Sequence, residues 1–347
     1  MLTAPNLRTN KWNSLRTVAL ALPLMVGAVS VNAAETANSR VTTQSAFTSA
    51  SSLKQAPQFY SVNVGGAKIT AISDGTIPLD ANKLLQGKDT AAINKLLDKS
   101  FVPKDVETSI NVYLIEIDGH RILVDTGAGE LFGEGFGGRL FENLKAVGVP
   151  PEQITDILIT HVHVDHTGGL TVGGKRMFPN ALVYVGKPDV DFFLSAEQAA
   201  KSTYRPAALP HAFEEAVTSV KPYLDSGQLR PFDRETEIVP GLNGTIHPGH
   251  TPGSAYYTLT RNGQTIKFIG DTVHVEAVQF PAPEVTIVFD VNAKDAAANR
   301  AKVFAELART RVLVAAPHLR YPGIGHIRVE GKGYSWVPEV FADRVVK

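Results

Sequence analysis

Six consecutive residues, His161-Val162-His163-Val164-Asp165-His166, place four potential metal ligands in one short run. Neutral imidazole suits Zn²⁺ and similar first-row ions, and a carboxylate adds charge compensation. A β-strand cannot aim all four side chains at one point, because successive residues face opposite sides of the sheet. A loop leaving a strand end can, with His161 and His163 on one ion and Asp165 and His166 turned toward a second. The following Thr167-Gly168-Gly169 permits a tight backbone turn beside the ions. The chain has no cysteine, so a metal site must be built from His, Asp and Glu. There is no G-x-S-x-G run either, so the chemistry calls for no protein nucleophile of that kind.

Three more ligand-capable residues stand at the exits of predicted buried strands, where open sheets gather their sites. His250 lies in the Pro/Gly-punctuated run His247 to Gly253, just before a strand at Tyr256. Asp271 follows the apolar run Ile266 to Ile269, and His318 follows Val312 to Ala316 and a proline. Alone, each reads more readily as a capping or structural residue. Beside the His161–His166 run they read as further ligands.

The elements that must position these residues follow from hydrophobic periodicity. Strands are predicted at Lys68 to Ser73, Asn111 to Ile117, Arg121 to Val124, Ile157 to Thr160, Ala181 to Val185, Tyr256 to Leu259 and Ile266 to Ile269, with an Asp118-Gly119 turn. Helical spacing marks Thr90 to Lys99, Arg139 to Val147, Val190 to Ala200, His211 to Leu224 and Ala293 to Ala308. No regular βαβ rhythm and no fixed-period repeat is present. The fold class is therefore α/β, with mixed sheets and helices outside them, in residues 58–347.

Before that domain, Arg8, Lys11 and Arg16 precede the apolar stretch Val18 to Val29, and small residues end at Ala33. This is the pattern of a general secretory signal peptide over 1–33, with delivery to the periplasm or the exterior. Residues 34–57 are rich in Ser, Thr, Ala and Gln, the composition of a flexible segment. With a formal net charge of zero and no basic stripe, a nucleic-acid partner is not expected. No membrane association is expected after signal cleavage.

The ligand order HxHxDH, distal His, Gly-Asp and further His resembles that of the metallo-β-lactamase superfamily, and within it the methyl parathion hydrolase group. The matching stretches are Leu123 to Gly127, Leu131-Phe132-Gly133, Thr160 to Leu170, Gly249 to Gly253, Ala277 to Phe280 and Pro322 to Tyr334. The resemblance implies an αβ/βα four-layer sandwich with two mixed sheets flanked by helices and two divalent metal ions between the sheet edges. It assigns His161, His163 and His250 to the first ion and Asp165, His166 and His318 to the second, with Asp271 bridging. Asp125 would orient a ligand histidine. The ions are expected to be Zn²⁺, with Mn²⁺, Co²⁺ or Fe²⁺ as alternatives.

The implied reaction is attack by a metal-bridging hydroxide on a phosphorus or carbonyl centre. Asp165 and Asp271 serve it as catalytic ligands. His163, in place of an acidic residue, argues against the di-iron oxygen- or nitric-oxide-reducing relatives. Asp271 and the missing cysteine argue against a true β-lactamase, and the C-terminus lacks the basic cluster of glyoxalase II. Small-molecule phosphotriesters, aryl esters and lactones are left. Phe132, Phe193 and Phe280 are expected to wall a pocket for a flat leaving group. Arg320 is expected at the pocket mouth, where it could admit a partly anionic substrate. His274, three residues after Asp271, stands in the region where acyl-homoserine-lactone hydrolases place a Tyr, so that a quorum-quenching lactonase is the alternative. A His there could polarise a lactone carbonyl or protonate the leaving oxygen. A homodimer is implied by the resemblance alone. The opposing class, a non-catalytic metal-binding protein, predicts that Asp271→Asn leaves every hydrolytic activity unchanged.

Overall fold

The computed structural model describes residue 56 and residues 58–344. The stretch expected to be a secretory signal (1–33) and nearly all of the polar segment (34–57) lie outside the described residues. Two seven-stranded sheets carry the fold. The first runs, in spatial order, Phe59–Val64, Ala67–Asp80, Asp105–Ile117, His120–Val124, Asp156–Leu158, Leu182–Gly186 and Leu229–Phe232. The second runs Thr236–Val239, Leu242–Ile246, Ala255–Arg261, Gln264–Phe268, Leu313–Ala315, Ile324–Glu330 and Gly333–Pro338. Both sheets are mixed. His120–Val124 pairs parallel with Asp156–Leu158, as does Gln264–Phe268 with Leu313–Ala315, whereas the hairpins around them are antiparallel.

A parallel pair needs a crossover, and helices supply it. Leu140–Val147 links His120–Val124 to Asp156–Leu158, and Ala293–Thr310 links Gln264–Phe268 to Leu313–Ala315. The core is correspondingly layered. Ile69, Ile115, Val124 and Leu158 of the first sheet meet Leu242, Tyr257, Leu259 and Phe268 of the second. On its outer face the first sheet packs Leu140, Leu144, Phe213 and Val220 of two helices against Leu114, Ile157 and Val183. The helix Ala293–Thr310 covers the second sheet through Val303, Phe304 and Leu307. The result is the expected helix/sheet/sheet/helix sandwich. No helix among the described residues is long and apolar enough to cross a membrane.

One element departs from the expected pattern. The single helix predicted over Val190 to Ala200 is two helices, Lys187–Phe193 and Ala196–Lys201. Ser195 is extended and its side chain accepts the Gln198 N–H, so a new N-cap interrupts an otherwise unbroken apolar spacing.

Candidate metal centre

The ligand-capable residues come from both sheets and converge at strand ends. His161, His163, Asp165 and His166 follow the first-sheet strand Asp156–Leu158; Asp271 and His318 follow two strands of the second sheet, and His250 precedes a third. His161, His163, His250 and Asp271 form one group of mutually close donor atoms, and Asp165, His166 and His318 another. Every residue expected as a ligand is thus brought to one place.

The inward nitrogens are spaced for ligation. His161 Nε2 and His163 Nδ1 are 3.0 Å apart, and His250 Nε2 lies 3.1 Å from His163 Nδ1 and 3.2 Å from His161 Nε2. Tetrahedral Zn–N bonds of 2.0–2.1 Å would set neighbouring ligand atoms about 3.3 Å apart. Asp271 sits between the two groups. Its Oδ1 is 3.2 Å from His166 Nε2, and its Oδ2 is 3.3 Å from His250 Nε2 and 3.2 Å from His318 Nε2. His166 Nε2 and Asp271 Oδ1 are buried with no hydrogen-bond partner among the described residues. Leaving such atoms unpaired is costly, and a cation between them removes that cost.

The outward nitrogen of each imidazole has a partner, which fixes ring and tautomer. His166 Nδ1 bonds Asp125 Oδ2 at 2.8 Å, His250 Nδ1 bonds Asp290 Oδ1 at 2.8 Å, and His318 Nδ1 bonds the Ser109 carbonyl at 2.9 Å. His161 Nδ1 meets the Thr160 hydroxyl at 3.1 Å, and His163 Nε2 meets the Tyr204 hydroxyl at 2.9 Å. With the outward nitrogens protonated, the inward ones present lone pairs.

Charge follows from burial and neighbours. Burial holds His161 and His163 well below the usual imidazole range, in the neutral form a metal needs. Burial also works against charge on His250, but Asp271 and Asp290 outweigh it and raise this group to about 9. Burial opposes ionisation of Asp271 as well; the surrounding imidazoles, His166 first, overcome it and hold its carboxyl well below the usual range.

Two tethers went unread in the sequence. Asp189, fully buried, accepts hydrogen bonds from the Val162 N–H at 2.9 Å and the Thr251 hydroxyl at 2.8 Å, and also from the Gly253 N–H. It thereby clasps the His161–His163 loop to the His250 loop, and a Cβ at Gly253 would lie 2.5 Å from the Asp189 backbone nitrogen. Asp74 accepts the Ala128, Gly138 and Leu140 N–H groups at 2.8–2.9 Å, closing the base of the loop that bears Phe132. At Gly168 a Cβ would stand 2.1 Å from the Ala128 carbonyl oxygen, so the turn after His166 and the turn after Asp125 pass with backbone against backbone.

The residues expected around the pocket divide. Phe193 belongs to the core beside the first sheet, fully buried, and reaches the centre only by standing edge-on to the His163 ring, with centroids 5.7 Å apart. Phe132 is half-buried on its loop. Phe280 is a core residue, not a wall: it follows a short helix, Glu276–Gln279, and stacks on Phe304 at 4.9 Å beneath the second sheet. Arg320 is exposed, but its guanidinium is spent on a two-point ion pair with Glu276. His274 is buried, with Nε2 3.0 Å from Asp271 Oδ2 and its ring stacked on His318 at 5.0 Å.

A family model described as the Metallo-beta-lactamase superfamily matches residues 105–318. Among curated proteins, the N-acyl homoserine lactonase AiiA of Bacillus thuringiensis subsp. kurstaki is 28% identical over 159 residues, 41% of this chain and 54% of its own length. The ribonuclease TTHA0252 of Thermus thermophilus is 26% identical over 188 residues, 53% of this chain and 40% of its own. The chain therefore spans about half the length, or less, of these curated relatives. Among solved structures, the hydrolase AbOPH of the beta lactamase superfamily has a TM-score of 0.79 at 37% identity, over 84% of this chain and 100% of its own. AidC, a dizinc quorum-quenching lactonase in complex with a product, has a TM-score of 0.72 at 26% identity, over 83% and 99%. The layered sandwich, the converging His/Asp shell and the match across its ligand-bearing residues together make this chain a member of the metallo-β-lactamase superfamily.

Proposed function

We propose that the chain is a dinuclear metal-dependent hydrolase acting on ester bonds, with lactones as its principal substrates. The observation that carries this reading is Asp271, whose carboxylate lies within 3.5 Å of inward imidazole nitrogens of both sets, His161 and His250 of one and His166 and His318 of the other. His161, His163 and His250 would hold one ion and Asp165, His166 and His318 another, with Asp271 placed to serve both. Two divalent ions there, zinc by the nature of the donors, would lower the pKa of a shared water and polarise a carbonyl or phosphoryl oxygen. Burial keeps His161 and His163 neutral, the surrounding imidazoles hold Asp271 ionised, and the buried shell walls the centre off from bulk water.

Lactones are favoured by His274 and by the relatives. His274 Nε2 lies 3.0 Å from Asp271 Oδ2 and its Nδ1 has no hydrogen-bond partner among the described residues, which sets an imidazole beside the centre to meet the carbonyl or leaving oxygen of a substrate. Arg320, expected to admit a partly anionic substrate, is instead paired with Glu276, which favours an uncharged one. The N-acyl homoserine lactonases and AidC fit the same substrate class. A second reading, hydrolysis of phosphotriesters and aryl esters, follows from the stretches read in the sequence as resembling the methyl parathion hydrolase group. The aromatic rings of Phe193 and Tyr204 against His163 favour it too.

The test is kcat/KM of the zinc-loaded enzyme on an acyl-homoserine lactone, dihydrocoumarin and methyl paraoxon. The lactones should lead by at least tenfold. A lead for methyl paraoxon would reverse the order of the two readings, and turnover of none above a chelator-treated control would sink both. Export to the periplasm or exterior and homodimer formation belong to the same proposal, checked by cell fractionation and by size-exclusion chromatography with light scattering.

A further inference from the structure

We propose that Tyr204 is a positioning residue for the ion held by His161, His163 and His250, an inference that rests on the two-ion reading above. Tyr204 lies outside every motif, in the stretch between the helices Ala196–Lys201 and Ala212–Asp225. Its hydroxyl is 2.9 Å from His163 Nε2 and 2.9 Å from the Phe289 carbonyl oxygen. Because His163 turns Nδ1 inward toward His161 and His250, Nε2 carries the proton. It donates to the Tyr204 oxygen, and the Tyr204 O–H donates onward to Phe289. The Tyr204 ring lies parallel to that of His163, at 8°, while Phe193 meets His163 edge-on. The ligand is thereby fixed in both tilt and tautomer.

The acceptor of the Tyr204 proton gives the contact wider reach. Phe289 precedes Asp290, which holds His250 Nδ1, and the Val291 N–H bonds the His250 carbonyl at 2.8 Å. Two ligands of one ion are therefore oriented from a single segment, Phe289 to Val291. Tyr204 joins that segment to a surface stretch in which Thr203 and Arg205 are exposed. Binding of the ion and order in residues 202–210 are coupled through one hydroxyl, and coupling of this kind is reciprocal.

The experiment compares wild type, Tyr204→Phe and, as a packing control, Phe192→Leu, whose ring touches the Tyr204 cluster but no ligand nitrogen. Each is stripped, titrated with Zn²⁺ against a competing chelator, and followed by hydrogen exchange over residues 196–211. Wild type should bind two equivalents and show slower exchange at 202–210 on loading. Tyr204→Phe should weaken one equivalent by about 10–100-fold, leave the other unchanged and lose the zinc-dependent protection, with the thermal midpoint of the stripped protein preserved. Phe192→Leu should keep both affinities. Wild-type affinities and protection in Tyr204→Phe would overturn the assignment, as would an equal loss in Phe192→Leu. Fewer than two equivalents on the wild type would instead overturn the two-ion reading beneath it.

Discussion

Replacing Asp125 by asparagine changes one atom and tests how the second ion's shell is held. Asp125 Oδ1 accepts the Thr160 N–H at 2.8 Å; Oδ2 accepts the Thr160 hydroxyl at 2.8 Å and His166 Nδ1–H at 2.8 Å. All three partners are donors, so an amide satisfies them in neither orientation. With its NH₂ toward the Thr160 backbone, a buried N–H is left unpaired, at about 1–3 kcal/mol. With its NH₂ toward His166, Nδ1 must become the acceptor. The proton then moves to Nε2, the nitrogen that faces Asp271. Either outcome should weaken the second ion by about 10–100-fold, or roughly 1.4–2.7 kcal/mol, while the His161/His163/His250 ion keeps its affinity. The backbone does not confound the test, because Asp125 has φ +63° and asparagine tolerates that region as aspartate does. Stepwise Zn²⁺ titration against a chelator, with kcat on a lactone, reads the result. Two wild-type affinities together with a wild-type kcat would refute the tautomer argument.

Three further outcomes are expected. His274→Leu should retain two zinc equivalents yet lose about 10²-fold in lactone kcat; unchanged turnover would remove His274 from the mechanism. Gly168→Ala should lower the thermal midpoint and the affinity for the second ion together, since its Cβ meets the Ala128 carbonyl, and a variant with both at wild-type values would show that the two turns can part freely. Burial raises the Asp74 carboxyl from 3.8 to about 6. Folding therefore takes up a proton between those values, and the group's contribution to stability falls by roughly 3 kcal/mol as pH rises through that window. Chemical denaturation of the stripped protein should show Asp74→Asn gaining on wild type from pH 4 to pH 7, and a pH-independent difference would contradict the assignment.

Local chemistry made the ligand shell legible in the sequence. His161 to His166, Asp271 and His318 follow short apolar runs at strand exits and His250 stands in a Pro/Gly-punctuated run before a strand, patterns confined to neighbouring residues. The residues that orient them are another matter. Asp290, Tyr204 and Asp189 reach their partners through contacts 40, 41 and 27 positions apart, and nothing in their own surroundings sets them apart. Arg300 is the exception that periodicity could have exposed. It shares the inward face of the helix Ala293–Thr310 with Ala296, Val303, Phe304 and Leu307. A cation there has to be satisfied, and it is, by the Thr272, Pro283 and Val285 carbonyls beside the Asp271 and Asp290 segments. Phe280 misled for the opposite reason, since an aromatic in a pocket wall and one in a core read alike until the neighbouring helix is placed.

The origin of the ligands in two different sheets has a consequence for the lifetime of the protein. Two metal ions held from both sides would be a non-covalent crosslink between the halves of the sandwich, in a chain that has no disulfide to do the same. Each bound ion adds stability in proportion to the logarithm of its free concentration over its dissociation constant. Resistance to proteolysis should then rise and fall with zinc supply, so that a metal-poor medium limits how long the molecule survives as well as how fast it turns over.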